Sequence, residues 1–160
     1  MKILLGADTY GFHLKEAVKQ HLLNQELEIE DVGISDRSTE TPYYQIASEV
    51  AKRVGSDRAY RGILVCGTGM EMAIIANKHP NVYAAVCESI YAAQKSRSIN
   101  NSNILTLGGL ITTPPVAQEI VNNWLKTEFT SEWEPPIQEW LHNSMKEISQ
   151  IEQEQFGTNK

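Results

Sequence analysis

The chain has 160 residues, of which 41% are hydrophobic and 21% charged, and its formal net charge is −6. This length suits one domain, and no apolar run reaches the roughly 18 residues that cross a membrane. The cations form no cluster beyond the pair Lys52 and Arg53, so no nucleic-acid partner is expected. Cys66 and Cys87 lack the spacing of a disulfide framework or a metal site, which predicts a cytoplasmic protein.

Short apolar runs rich in β-formers alternate with amphipathic segments along the first 127 residues. The pattern predicts strands over 2–6, 27–32, 62–66, 82–87 and 104–107, and helices over 12–25, 44–54, 70–78, 90–98 and 114–126. The alternation of apolar and acidic residues in 27–32 is typical of a strand near an edge. The continuous runs 62–66 and 82–87 indicate strands buried on both faces.

Strands and helices that alternate at this spacing form right-handed βαβ units. The sequence therefore predicts a three-layer α/β/α Rossmann-like fold with a parallel sheet of about five strands. Ligands bind beyond the carboxyl ends of such strands. Three segments there carry suggestive residues, namely 6–9 (Gly-Ala-Asp-Thr), 66–69 (Cys-Gly-Thr-Gly) and the glycine pair 108–109.

The segment 128–160 differs from the rest and is predicted to be a loop followed by a polar helix over 137–155. We assign it to the same domain as residues 1–127. One face of this helix is apolar, with Ile137, Trp140, Leu141, Met145, Ile148 and Ile151. Such a face is buried either on its own domain or on a second subunit.

The most informative segment is 62–69, where a buried strand ends in Cys66-Gly67-Thr68-Gly69 and a helix begins. Glycines allow main-chain N–H groups to face one anion, and a helix N-terminus adds partial positive charge. Cys66 could act there as a general base, or it could be a small core residue. No Lys-Ser/Thr follows the glycines and the third glycine of a dinucleotide fingerprint is missing, so neither motif applies.

These residues resemble the family of ribose-5-phosphate isomerase B and the galactose-6-phosphate isomerase subunits over about residues 2–127. The resemblance rests on Gly6-Ala7-Asp8 with Gly11-Phe12-x-Leu14-Lys15, on Cys66–Gly69 with Ile74-x-Ala76-Asn77-Lys78, and on Tyr91-x-Ala93, Ser96-Arg97, Asn100, Asn103 and Leu107-Gly108. It implies an aldose–ketose isomerase that needs no metal or cofactor. It also implies a homodimer or tetramer with active sites between subunits.

By the same resemblance, Cys66 is the enediol base, Thr68 assists proton or ring handling, and Gly67 and Gly69 build an anion hole. Asp8 and Asn100 are implied to bind the sugar. Tyr43 matches a pocket-lining stretch. Glu71 stands where a glycine is usual, and it could be a second base, narrow the pocket or be an acid favoured by the helix dipole.

Several positions depart from the family. Ile99 stands in place of the histidine that opens the furanose ring, Thr9 in place of another histidine and Leu110 in place of an arginine; no arginine follows Arg97. Three hypotheses remain. The substrate is a short sugar phosphate that cannot cyclise, the chain is one subunit of a heteromeric galactose-6-phosphate-type isomerase, or it is a non-catalytic sugar-phosphate-binding relative.

Overall fold

A five-stranded parallel sheet forms the centre of the structure, a computed structural model that describes residues 1–38 and 41–157. The strands are β1 (Lys2–Ala7), β2 (Ile29–Asp31), β3 (Tyr60–Cys66), β4 (Ala84–Val86) and β5 (Ile104–Gly108), in the order β2-β1-β3-β5-β4. All neighbouring strands run parallel. The predicted α/β architecture is therefore confirmed.

Helices cover both faces of the sheet. They are α1 (Phe12–Asn24), α2 (Tyr43–Ser56), α3 (Met70–Ala76), α4 (Ile90–Ser98), α5 (Pro114–Lys126) and α6 (Pro135–Phe156). Helices α1, α4 and α5 pack on one face, and α2 and α3 pack on the other. Within the described residues no helix is both long enough and apolar enough to span a bilayer.

The central strands are buried on both faces because successive side chains point in opposite directions. Leu5, Val65 and Leu107 belong to the core beneath α1 and α5, whereas Leu4 and Leu64 belong to the core beneath α2 and α3. All five are completely buried. The continuous apolar run in β3 is therefore explained by the burial of this strand on both faces.

Strand β4 differs from the prediction of a buried strand over 82–87. It is shorter, lies at an edge of the sheet and is only half-buried. In chain order β4 precedes β5, but β4 takes the edge of the sheet and β5 lies between β3 and β4. The side chain of Asn77 holds β4 in place, because its Oδ1 accepts the N–H of Ala84 (2.8 Å) and its Nδ2 donates to the carbonyl of Ala84 (3.0 Å).

A buried lysine joins α1 to the end of β2. Lys15 is completely buried, and its Nζ lies 2.6 Å from Asp31 Oδ2 and 2.7 Å from Glu16 Oε1. It also donates to the carbonyl of Ile34 (2.8 Å). Lys19 Nζ contacts the same Asp31 oxygen at 2.8 Å. Burial by itself would raise the pKa of Asp31, but the hydrogen bonds from the two lysines outweigh it and hold that pKa below its ordinary value.

Helix α6 crosses the amino-terminal ends of the strands and leaves most of its apolar face uncovered. Among its residues only Leu141 is buried, whereas Trp140 is 62% exposed and Ile151 58% exposed. The helix contacts the body through Glu152, which accepts hydrogen bonds from the N–H of Asn81 (2.5 Å) and the hydroxyl of Tyr83 (3.1 Å). Most of the apolar face is therefore not buried on its own domain.

Candidate active site

Three loops meet at the carboxyl edge of the sheet, as the sequence predicts. They follow β1, β3 and β5, whose registers place Ala7 beside Val65 and Cys66 beside Gly108. The loops are joined by main-chain hydrogen bonds, with the N–H of Gly109 donated to the carbonyl of Cys66 at 2.8 Å. This junction is the candidate active site.

Two glycines make the close approach of these loops possible. A side chain at Gly11 would place its Cβ only 2.2 Å from the carbonyl oxygen of Val65. Gly69, at the start of α3, has a φ of +79°, a conformation that L-residues with side chains rarely adopt. The glycines therefore set the shape of the site.

Asp8 shapes the first loop. Its Oδ1 accepts the main-chain N–H groups of Tyr10 (3.0 Å) and Gly11 (2.9 Å), and its side chain is almost completely buried. Its Oδ2 accepts no hydrogen bond from the described residues. Thr9, which follows it, is half-buried. Asp8 thus fixes the loop with one oxygen and retains another for a ligand.

The glycine turn after β3 presents two free amides. Within the described chain the main-chain N–H groups of Gly67 and Thr68 make no hydrogen bond, and we call this pair the amide nest. The N–H of Gly69 is instead donated to Cys66 Sγ at 3.1 Å, and the N–H of Met70 to Thr68 Oγ1 at 3.3 Å. The structure thus shows Gly69 contacting the sulfur rather than contributing a free donor to the predicted anion hole.

Cys66 is completely buried in the protomer. Its side chain packs in the core beneath α2 and α3, together with Ile46 and Met72. The N–H of Gly69 that points at the sulfur would stabilise negative charge there. The burial weighs against a base that reaches substrate, whereas the N–H···S contact holds the sulfur beside the glycine turn.

Glu71 and Tyr43 occupy the same edge of the sheet. Glu71 is exposed in the first turn of α3 and makes no ion pair with a described residue. Tyr43 begins α2, packs partly against the core that contains Cys66, and has its ring edge-to-face with Tyr44 at 5.4 Å. Both residues therefore lie on the same side of the sheet as the glycine turn 67–69.

Exposed apolar side chains flank the amide nest. A Cβ built on Gly67 would contact Leu110 Cδ1 at 3.3 Å and Tyr10 Cβ at 3.6 Å. Leu110 is 74% exposed and Tyr10 68% exposed. The sequence analysis missed Tyr10, although its place between Asp8 and Gly11 in the first loop was a usable signal. Two large, mostly exposed side chains therefore border the amide nest.

Asn100 is not brought to this edge. It precedes β5, whose first residue Ile104 pairs with Gly62 at the other end of the sheet from Cys66. The four steps along the chain from Gly62 to Cys66 span about 13 Å of strand. Asn100 instead lines a cavity of about 500 Å³ with Trp140 of α6. In one protomer Asn100 and Cys66 therefore belong to different surfaces.

The sequence matches the Ribose/Galactose Isomerase family over residues 3–140. The chain belongs to this family. It is 44% identical over 96% of its length to 4-deoxy-4-sulfo-D-erythrose isomerase of Clostridium sp. (strain MSTE9), covering 96% of that protein. It is 36% identical to D-erythrulose-4-phosphate isomerase of Pectobacterium atrosepticum, over 81% of this chain and 85% of that one.

Among solved structures, the ribose-5-phosphate isomerase B of Mycoplasma genitalium with bound ribulose-5-phosphate matches with a TM-score of 0.86 and 28% identity. The match covers 96% of this chain and 97% of that one. Together these matches identify the chain as an aldose–ketose isomerase of small sugar phosphates, similar to ribose-5-phosphate isomerase B.

Several residues that carry the family resemblance support the fold. Asn77 clamps β4, and Lys15 joins α1 to β2, as described above. The side chain of Asn103 accepts the N–H of Tyr83 (2.8 Å) and donates to the carbonyl of Asn81 (2.7 Å). In this isomerase these side chains therefore position the strands.

Proposed function

We propose that this isomerase interconverts the aldose and ketose forms of an open-chain four-carbon sugar with an anionic group at C4, and that it prefers sulfonate to phosphate there. The apolar flank of the amide nest carries this proposal, because Leu110 occupies the place of a family arginine. The relative that is 44% identical bears the name of a 4-sulfo-tetrose isomerase, which supports the same substrate class.

The length of the substrate is inferred from the absence of the ring-opening histidine. Ile99 stands where the family resemblance implies the histidine that opens a furanose ring. A tetrose whose C4 carries sulfonate or phosphate has no free C4 hydroxyl with which to close that ring. Such a substrate is already open, and no ring-opening group is needed.

The preference for sulfonate follows from charge. A phosphate ester carries about 1.5 to 2 negative charges at neutral pH, and the paired N–H groups of an arginine guanidinium bind it well. A sulfonate carries one negative charge. Leu110 replaces one expected arginine and the segment 133–146 contains none, so a singly charged group suits this site better.

The chemistry is a proton transfer between neighbouring carbons. Cys66 as thiolate removes the proton from the carbon next to the carbonyl, and the electron pair moves onto the carbonyl oxygen to form a cis-enediolate. The N–H groups of Gly67 and Thr68 stabilise that oxyanion. The Thr68 hydroxyl assists proton transfer between the two oxygens. The thiol then returns the proton to the adjacent carbon, so the reaction consumes nothing.

Because Cys66 is buried, this mechanism requires a conformational change. The turn 67–69 must shift when substrate binds, so that the sulfur meets the reacting carbon. Glu71 is the alternative base and needs no such shift, because it is already exposed. Asp8, Thr9 and Tyr43 are proposed to bind the sugar hydroxyls or line the pocket.

We further propose that the working unit is a homodimer, or a tetramer built from it, whose sites lie between subunits. Asn100 lies too far from Cys66 to serve the same protomer's site, so a second copy must supply it. The apolar surfaces on both sides of this contact are exposed in one protomer, with Leu110 at the carboxyl edge and Trp140 on α6. A dimer that buries them would cover the amide nest.

Turnover by the purified chain tests the proposal. We expect 4-deoxy-4-sulfo-erythrose to be the best substrate, the tetrose 4-phosphates to be weaker, and ribose 5-phosphate to be poor. Cys66→Ala is the matched inactive control. A kcat/KM for ribose 5-phosphate above that for both tetroses would contradict the proposal. Inactivity on all three, relieved only by a second gene product, would favour the heteromeric hypothesis.

A further inference from the structure

A cleft at the amino-terminal end of the sheet, beside α6, gathers positive charge. It measures about 630 Å³, and its lining includes Arg58, Arg61 and His142 together with the amide side chains of Asn101 and Asn103. We call these five residues the cationic cleft. Arg61 lies at the start of β3, five positions before Cys66, so about 16 Å of strand divides the cleft from the amide nest.

Within the described residues, the two arginines of the cleft form neither hydrogen bonds nor ion pairs. Among the described residues, neither Arg58 nor Arg61 donates a hydrogen bond, and neither lies within ion-pair distance of a carboxylate. Arg61 is half-buried, and burial lowers its pKa. A partly desolvated guanidinium without an acceptor is costly, since it has lost water without gaining an ion pair.

A third arginine, Arg97, adds to the unfavourable electrostatic energy of Arg61. Arg97 is almost completely buried and donates to the main-chain carbonyls of Thr127 (3.3 Å) and Ser102 (2.5 Å) and to Asn101 Oδ1 (3.1 Å), which are all uncharged acceptors. Burial lowers its pKa to about 10, and the positive charge of Arg61 acts in the same direction. The two guanidinium groups therefore repel each other.

Nearby carboxylates do not neutralise the cleft. Glu128 raises the pKa of both Arg61 and Arg97 through its charge, but it forms an ion pair with neither. Glu152 is occupied by the N–H of Asn81 and the hydroxyl of Tyr83. The chain as a whole has 20 acidic and 14 basic residues, yet no ion pair joins a carboxylate to Arg58, Arg61 or Arg97 in the part of the chain that the structure describes.

We propose that the cationic cleft binds the phosphate group of a small phosphorylated metabolite, at a site separate from the amide nest. Arg61 and Arg58 would donate to the phosphate oxygens, the amide nitrogen of Asn101 would add a donor, and Asn103 and His142 would lie alongside. A phosphate dianion would neutralise two of the unpaired charges and remove the repulsion between Arg61 and Arg97. This proposal does not depend on the substrate of the isomerase.

Phosphate binding by the full chain tests the site, with inorganic phosphate as the probe and potassium chloride at equal ionic strength as the reference. We expect Arg61→Gln to weaken phosphate binding in calorimetry at least about tenfold, because a charge-assisted contact is lost. Lys52→Gln removes the same charge from an exposed position of α2 and should bind phosphate as the wild type does. Phosphate held at the amide nest would be unaffected, so the difference between the variants isolates the cleft.

A second measurement separates ligand binding from a structural role. Without phosphate, Arg61→Gln should raise the melting temperature, because it relieves the repulsion on Arg97; an ordinary structural arginine would give a fall. Equal phosphate affinity in wild type and Arg61→Gln would overturn the proposal. So would a changed oligomeric mass, which would make the cleft a subunit contact, or a raised KM, which would make it part of a neighbouring active site.

Discussion

Replacement of Lys15 by Met isolates the buried ion pair that joins α1 to β2. Met keeps the volume of the lysine stem, so little cavity forms, but the contacts of Nζ with Asp31 and Glu16 and its hydrogen bond to the carbonyl of Ile34 are lost. Removing one partner of a buried pair costs about 3 to 5 kcal/mol. Asp31 retains the hydrogen bond from Lys19, so we expect a smaller loss, about 2 to 3 kcal/mol.

For a domain of this size, each kcal/mol lowers the melting temperature by about 2 to 4 °C, so Lys15→Met should melt roughly 4 to 12 °C lower. Circular dichroism during thermal and urea unfolding measures both quantities. Lys19→Met is the matched control: Lys19 contacts the same Asp31 oxygen but is partly exposed, and its loss should cost at most about 1 kcal/mol. Equal stability of Lys15→Met and wild type would refute the reasoning, because the pair would then contribute no more than the apolar side chain that replaced it.

Cys66→Ala should lower kcat/KM by about 10²- to 10⁴-fold while Glu71→Gln stays within a few-fold; the reverse pattern would assign the base to Glu71. Mixing inactive Cys66→Ala and Asn100→Ala chains should restore up to about a quarter of wild-type activity, because half the dimers carry one intact site. No recovery after refolding the mixture would place both residues in one subunit's site. Trp140→Glu should lower the mass seen by light scattering together with activity, and an unchanged mass would exclude α6 from the contact. The folded pKa of Asp31 is lowered from 3.8, so its stabilisation is present above that value and is lost as pH falls through the folded pKa. Asp31→Asn should therefore show a flatter loss of melting temperature below pH 4 than wild type, and parallel curves would contradict this.

The order and approximate bounds of the strands and helices could be read from the sequence, because hydrophobic periodicity and glycine or proline punctuation are local properties. Helix α4 occupies 90–98 and α5 runs 114–126, as predicted. The segments 6–9 and 66–69 were also placed together correctly, since parallel strands bring their carboxyl ends to one edge. Strand β4 was misjudged because its sequence does not reveal that β5 would take the inner position.

Within the amide nest, the sequence marked the residues but not the direction of their donors. Only the backbone path through Gly69, at positive φ, turns its N–H toward the sulfur of Cys66 and leaves those of Gly67 and Thr68 free. The complete burial of Cys66 likewise depends on how α2 and α3 pack over β3. A pattern of residue types carries no information about such packing.

By itself the sequence determined the fold class, the family and the edge of the sheet that carries the candidate site, because each depends on residues close together along the chain. The tertiary structure decided what depends on distance between remote segments. It separated Asn100 from Cys66 by the length of a strand, left the apolar face of α6 uncovered, and brought Arg58, Arg61 and His142 into one cleft. Arg58 and Arg61 are close together along the chain, but His142 is remote from them, and only the crossing of α6 beside the start of β3 makes the three neighbours.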